Sequence, residues 1–177
     1  VAPDPDEVLG CNTRGDLAGV DDVFRRRKRA ALMADGVTIE MPESVRVDPD
    51  VVVGADTLLE PGVHLLGKTR IGANCTIRTG SILTDATLAD GVTVKPYSVI
   101  TASQLDEGAQ VGPFAHVRES SRLMKSARVG NFVEVKKSVL GEGVKSMHLT
   151  YLGDARVGEG SNIGAGTITC NYDGVNK

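Results

Sequence analysis

Among its 177 residues the chain has no tryptophan and only three phenylalanines, three tyrosines and three cysteines. Without large rings the interior must be filled by Val, Ile, Leu and Ala, which suits a thin, repetitive core better than a bulky globular one. No apolar stretch approaches the roughly 18–20 residues that span a bilayer. The opening segment VAPDPDEVLG is acidic, with neither an initiator Met nor a basic segment followed by an apolar one. It therefore does not read as a signal peptide and is expected to be a cut end. Cys11, Cys75 and Cys170 are odd in number, scattered and without metal-ligand spacing. They argue against a disulfide framework, fit a reducing cytoplasm and are expected to be packing residues. A formal net charge of −3 argues against general attraction to nucleic acid or to an anionic membrane.

What the sequence does have is a period. Apolar residues recur every sixth position as Val53, Leu59, Leu65, then Ile71, Ile77, Leu83, then Leu88, Val94, Ile100. The series continues through Leu105, Val111, Val117, Leu123, Val129, Val135, Leu140, Leu152, Val157, Ile163 and Thr169, with Ser146 interrupting one column. Each triplet returns after 17 or 18 residues, which is one three-sided coil. Glycine often follows the apolar residue, as at Gly54, Gly72, Gly112, Gly130, Gly158 and Gly164, where a tight corner would resist a Cβ. This pattern marks the hexapeptide repeat and predicts a mainly β fold, a left-handed parallel β-helix of about seven coils starting near Val47. Coils would stack about 4.8 Å apart, and a solenoid needs capped ends. Lys177 follows directly on a loop, so a cut is expected there too. Before the coils, DDVFRRRKRAALMADG reads as an α-helix capped at Asp21 or Asp22 and stopped by Gly36. Its run from Arg25 to Arg29 suits a nucleic-acid contact, but no aromatic interleaves it. The favoured reading is a solvated face or one packed on another domain.

Function should lie where the repeat is decorated or broken. Arg118 and Lys136 stand 18 residues apart, each after a column residue, and so share a corner on successive coils. Two stacked cations about 5 Å apart repel, and a phosphate would relieve them; neutralisation by Glu119 or Glu134 is the alternative. The irregular SVLGEGVKSMHLTYLGD carries His148 and Tyr151, the histidine being either a general base or structural. His64 and His116 fall three coils apart, about 14 Å, against the roughly 2.1 Å that zinc needs to each ligand nitrogen. His116 and His148 are about two coils apart, so a histidine metal trio within one chain is disfavoured. The closing NIGAGTITCNYDGVNK gathers Asn162, Asn171, Tyr172 and Lys177 around Gly164 and Gly166, either as a site wall or as an Asn/Gly-rich turn.

Taken together, GPFAHVR, VGNFVEVKK, HLTYLGDARVG and NIGAGTITCNYDGVNK closely resemble the acetyltransferase domain of a bacterial bifunctional family. That family is the glucosamine-1-phosphate N-acetyltransferase/N-acetylglucosamine-1-phosphate uridylyltransferase, which makes UDP-N-acetylglucosamine for cell-wall synthesis in the cytoplasm. The resemblance divides the chain into residues 1–12 as the end of a uridylyltransferase domain, 13–36 as a linker helix and 37–177 as the β-helix. It implies a homotrimer with acetyl transfer in the crevice between subunits. His148 matches the general base, and Arg118, Lys136, Tyr151 and Lys177 match sugar-phosphate ligands. Asn162, Asn171 and Tyr172 match residues around the sugar and the transferred acetyl group, and Ala165 matches a backbone contact to acetyl-CoA. Asn12 matches a magnesium ligand of the UTP-using site, whose partner aspartate and nucleotide loop would lie before Val1, so uridylyl transfer is not expected of this chain. Where the family usually carries Pro, this chain has Glu119, a carboxylate beside Arg118. The competing reading is a non-catalytic trimerisation scaffold.

Overall fold

Each hexapeptide forms a short strand and a turn, with its apolar residue facing inward. The computed structural model describes residues 5–175. Strands repeat on three faces of a prism, and every pairing is between parallel strands one coil apart. The first face runs from Thr38–Ile39 through Leu58–Leu59 and Thr76–Ile77 to Asn162–Ile163; the second begins at Arg46–Val47 and includes His116–Arg118. The third runs from Val52–Val53 to Arg156–Val157. Two nine-residue strands, Arg128–Lys136 and Lys145–Gly153, cross the corner between the first and second faces and join them into one sheet.

The columns read from the sequence are the observed register. Val53, Ile71, Leu88, Leu105, Leu123, Leu140 and Val157 are successive Cα partners. Leu65, Leu83, Ile100, Val117, Val135 and Leu152 form a second such series. Leu65 to Leu152 are buried to 1% exposure or less along the second of these columns. Burying each such side chain stabilises by about 1.5–3 kcal/mol. The corner between the second and third faces absorbs the alternation between 17 and 18 residues. It takes six positions from Leu65 to Ile71 and from Val117 to Leu123, but five from Leu83 to Leu88 and from Ile100 to Leu105.

Several expectations need correction. The coils begin before Val47, since Thr38–Ile39 already pairs with Leu58–Leu59. The helix spans Arg14–Ala34 and is capped by Thr13, not by Asp21 or Asp22. The cap is a capping box: Asp16 N–H donates to Thr13 Oγ1 at 3.1 Å and Thr13 N–H returns to Asp16 Oδ2 at 2.8 Å, and the helix runs on through Gly15 and Gly19. Gly36, at φ 90°, follows the helix as expected. The glycines after column residues serve mainly close approach: a Cβ on Gly54 would lie 2.6 Å from the Gly72 carbonyl carbon, and one on Gly130 would strike the Met147 carbonyl. Of the cysteines only Cys75 is a packing residue; Cys11 and Cys170 are exposed. Burial pushes the Cys75 thiol above its usual range.

The basic run holds the helix and the chain before it in place. Arg25 pairs with Asp21 at 2.6 Å, Arg26 with Asp6 at 2.7 Å, and Lys28 donates to the Pro49 carbonyl at 2.9 Å. Arg29 is buried and donates to the Val45 carbonyl at 3.4 Å. Those cations bind the helix within itself, to the segment before it and to the first coil, while Leu32 enters the core. No helix among the described residues is long and apolar enough to cross a membrane.

Ser146 replaces an aliphatic between Val129 and Ile163, and its fully buried Oγ has no hydrogen-bond partner among the described residues. An orphaned buried hydroxyl costs about 1–3 kcal/mol. Ser146→Ala is therefore expected to raise stability by about 1 kcal/mol in urea unfolding, whereas Ile100→Ala should lower it by about 2–5 kcal/mol.

Candidate active site

On the second face Val117, Val135 and Leu152 point inward, so the residues on either side of each point out. His116, Glu134 and Tyr151 form one outward column; Arg118, Lys136 and Gly153 form the other. The two expected cations are thus adjacent, but they differ in company. Arg118 Nε donates to Glu134 Oε1 at 2.7 Å, and its Nη1 lies 3.7 Å from Glu119 Oε1. The carboxylate alternative therefore holds for Arg118. Lys136 is only 8% exposed, and among the described residues no carboxylate forms an ion pair with it. Its stem is buried, but Nζ is not among the fully buried polar atoms that lack a partner, so the ammonium meets solvent and stays open to an entering anion.

Gly153 stands directly above Lys136 in register. A Cβ there would strike the Tyr151 hydroxyl and come within 2.6 Å of Asn171 Nδ2. The glycine therefore leaves space beside Lys136 into which the phenol and the amide reach. Asn171 Nδ2 donates to the Tyr151 hydroxyl at 3.4 Å and also to the Asp154 carboxylate. Arg118, Lys136, Tyr151 and Asn171 are in this way brought to one patch of the second face. Glu119 has φ 42°. Proline is held near −65°, so this corner cannot have the backbone of one carrying Pro.

His148 is exposed at the corner between the first and second faces, in register over Asn131. Its Nδ1 lies 3.0 Å from Asn131 Oδ1. The next coil is tied there by the Gly166 N–H donating to the Leu149 carbonyl at 2.8 Å, which sets Ala165 at the same corner. Asn162 is exposed on the first face beside Lys145 in register, away from the Lys136 patch. Tyr172 is tied within its own loop by donation to the Gly174 carbonyl at 2.8 Å. Lys177 lies outside the described residues. Asn12 is exposed and its N–H donates to Asp16. Among the described residues no group of three or more His, Cys, Asp or Glu could hold a metal ion, and one Asn amide does not make a magnesium site. His64 reaches His116 through Ile82 and Val99, three pairings away.

Two residues of the site escaped sequence reasoning. Gly153 is the 17-residue successor of Lys136, and Asn131 is the 17-residue predecessor of His148. Coil arithmetic applied to every polar residue would have found them.

Inorganic phosphate titrated into the protein should perturb the Lys136, Tyr151 and Gly153 resonances. Lys136→Ala is expected to weaken that binding about 10- to 100-fold, the worth of a charged hydrogen bond. Gly153→Ala should also weaken it by displacing the phenol and amide. Perturbation elsewhere only would remove this patch as an anion seat.

Residues 50–85 match the family described as bacterial transferase hexapeptide (six repeats). The chain is 55% identical over 173 residues to the bifunctional protein GlmU of Anaeromyxobacter sp. (strain Fw109-5), covering 98% of this chain and 36% of that protein. It is 50% identical to the bifunctional protein GlmU of Koribacter versatilis (strain Ellin345), covering 99% and 38%. The chain thus spans little more than a third of these relatives' length. In fold it is similar to the acetyltransferase domain of PglB from Neisseria gonorrhoeae FA1090, solved with acetyl coenzyme A, at 14% identity and a TM-score of 0.51 over 80% of this chain and 62% of that one. The chain is thus similar along almost its whole length to a segment of the bifunctional GlmU proteins, and the repeat and the fold agree with that similarity.

Proposed function

We propose that this chain supplies the acetyl-transfer site of a glucosamine-1-phosphate N-acetyltransferase, taking acetyl from acetyl-CoA, within a cytoplasmic bifunctional protein that also forms UDP-N-acetylglucosamine from UTP. The observation that carries this reading is the Lys136 patch, an anion seat on the same coils as an exposed histidine with an oriented ring. The sugar phosphate would sit against Lys136, the Tyr151 hydroxyl and Arg118, with Lys177 as a further cation. His148 would take a proton from the sugar ammonium, freeing the nitrogen pair to attack the thioester carbonyl. The C–S bond then breaks, the departing thiolate of coenzyme A takes the proton held by His148, and the nitrogen gives its second proton to the freed imidazole as the amide forms; no acyl-enzyme is needed. Phosphate would compete with Glu134 and Glu119 for Arg118, so Arg118 should contribute less than Lys136. Asn162, Asn171, Tyr172 and the Ala165 backbone would line the acetyl end.

The same proposal includes a homotrimer. His148 stands on an open edge, whereas proton transfer and thioester attack need water excluded, and a neighbouring copy could supply the opposite wall. Along that edge Tyr97, Phe114 and Phe132 are half exposed or more and stack at ring-centroid distances of 5.4 and 5.7 Å. All three have positive φ, between 51° and 56°. Bulky residues rarely occupy that region, and an exposed apolar ladder there fits a surface that becomes covered. The division into residues 1–12 as uridylyltransferase remnant, 13–36 as linker and 37–177 as acetyltransferase also belongs to this reading. Magnesium is assigned to the longer protein's other site, and no step here passes through it.

Coenzyme A release from acetyl-CoA and glucosamine 1-phosphate tests the activity, in this chain and in a full-length relative carrying the same substitution. His148→Ala is expected to cost about 10²–10⁴ in kcat. Undiminished turnover in both would overturn the assignment; a folded, oligomeric chain that neither binds nor turns over would leave the scaffold reading. In sedimentation equilibrium the chain should be trimeric, and Phe114→Ser with Phe132→Ser should shift it to monomer. A trimer indifferent to both changes would move the interface elsewhere.

A further inference from the structure

We propose that Asn131 is the positioning residue of His148, fixing both the orientation and the tautomer of its ring; this rests on reading His148 as the base. The two residues are Cα partners on the adjacent long strands, and Asn131 Oδ1 faces His148 Nδ1 at 3.0 Å. A carbonyl oxygen only accepts, so the ring proton must sit on Nδ1. That leaves the lone pair on Nε2, on the side of the ring turned away from Asn131, where a substrate ammonium can reach it. Free histidine favours the opposite tautomer, with the proton on Nε2, which offers no base on that side.

Two features hold Asn131 where it can act. Gly130, just before it, lets the Met147 carbonyl just before His148 come so close that any Cβ would collide. Phe132, just after it, is stacked on Phe114 and donates its N–H to the Phe114 carbonyl at 3.1 Å. The corner is thereby fixed on both sides of the amide. The choice of amide over carboxylate is also chemically pointed: a neutral acceptor selects the tautomer without adding a charge that would hold the proton on the imidazolium. A base of this kind can pass its proton on to the departing thiolate.

Long-range proton–nitrogen correlation spectra of the whole chain, labelled at histidine nitrogen and assigned with His148→Gln, read the tautomer without any turnover. The wild-type ring is expected to be protonated at Nδ1 when neutral. Asn131→Ala should return it to the mixture of free histidine, and Asn131→Asp, which keeps an acceptor oxygen, should restore the Nδ1 proton. The same tautomer pattern in wild type and Asn131→Ala would overturn the inference. In turnover Asn131→Ala should lower kcat about 10- to 100-fold, as loss of an orienting partner does, with KM for the sugar phosphate unchanged. An inactive His148→Ala beside a fully active Asn131→Ala would sink the positioning role alone. An active His148→Ala would instead sink the base assignment on which it stands.

Discussion

Everything in this molecule depends on the register of one coil upon the next. Parallel hydrogen bonding at a fixed spacing forces residues 17 or 18 positions apart into columns, so each side chain's environment is set by its predecessor and successor. The core is one consequence, because Val, Leu and Ile follow one another inward. The site is another, because Arg118, Lys136 and Gly153, or Asn131 and His148, become neighbours by the same counting. A solenoid therefore builds a polar surface patch as it builds its core, with no long-range loop needed to bring distant residues together.

Electrostatically the patch is graded rather than uniformly basic. Arg118 is held by two carboxylates, whereas Lys136 lies deeper and has none among the described residues. Stacking two free cations would raise the energy of the unliganded surface, and pairing one of them with Glu134 lowers it. The arrangement satisfies the guanidinium within the resting protein while leaving one ammonium without a carboxylate partner among the described residues.

The columns were legible because burial on a repeating face leaves a strict six-residue trace, and Val53 to Leu152 carry it almost without interruption. The cap of the helix was misplaced at Asp21 or Asp22, because an acidic pair before an apolar-periodic run resembles a start, whereas Thr13 and Asp16 cap only by bonding each other's backbone. The role of glycine was half legible: its positions showed, but only packed coils reveal that Gly54 and Gly130 face a neighbouring backbone. At the site, charge and motif pointed to Arg118, Lys136 and His148, whereas Asn131 and Gly153 act through what they accept or leave empty. A hydrogen-bond acceptor under a ring and a missing side chain above an ammonium carry no compositional signal.

The corner that takes sometimes five residues and sometimes six also bears on how such a chain can change. Within a face, gaining or losing one residue would reverse the inward and outward sides of the strand that follows and turn the core inside out. The corner between the second and third faces already holds both lengths, at Leu83 to Leu88 and at Leu65 to Ile71, with no loss of register beyond it. Corners are therefore where length can vary without disturbing the columns, and in the coil of Arg118 the five-or-six corner is the Glu119–Ser120 turn. Length variation there can remodel the surroundings of the guanidinium while His148 and its column stay fixed, so that turn and the scaffold are free to drift separately.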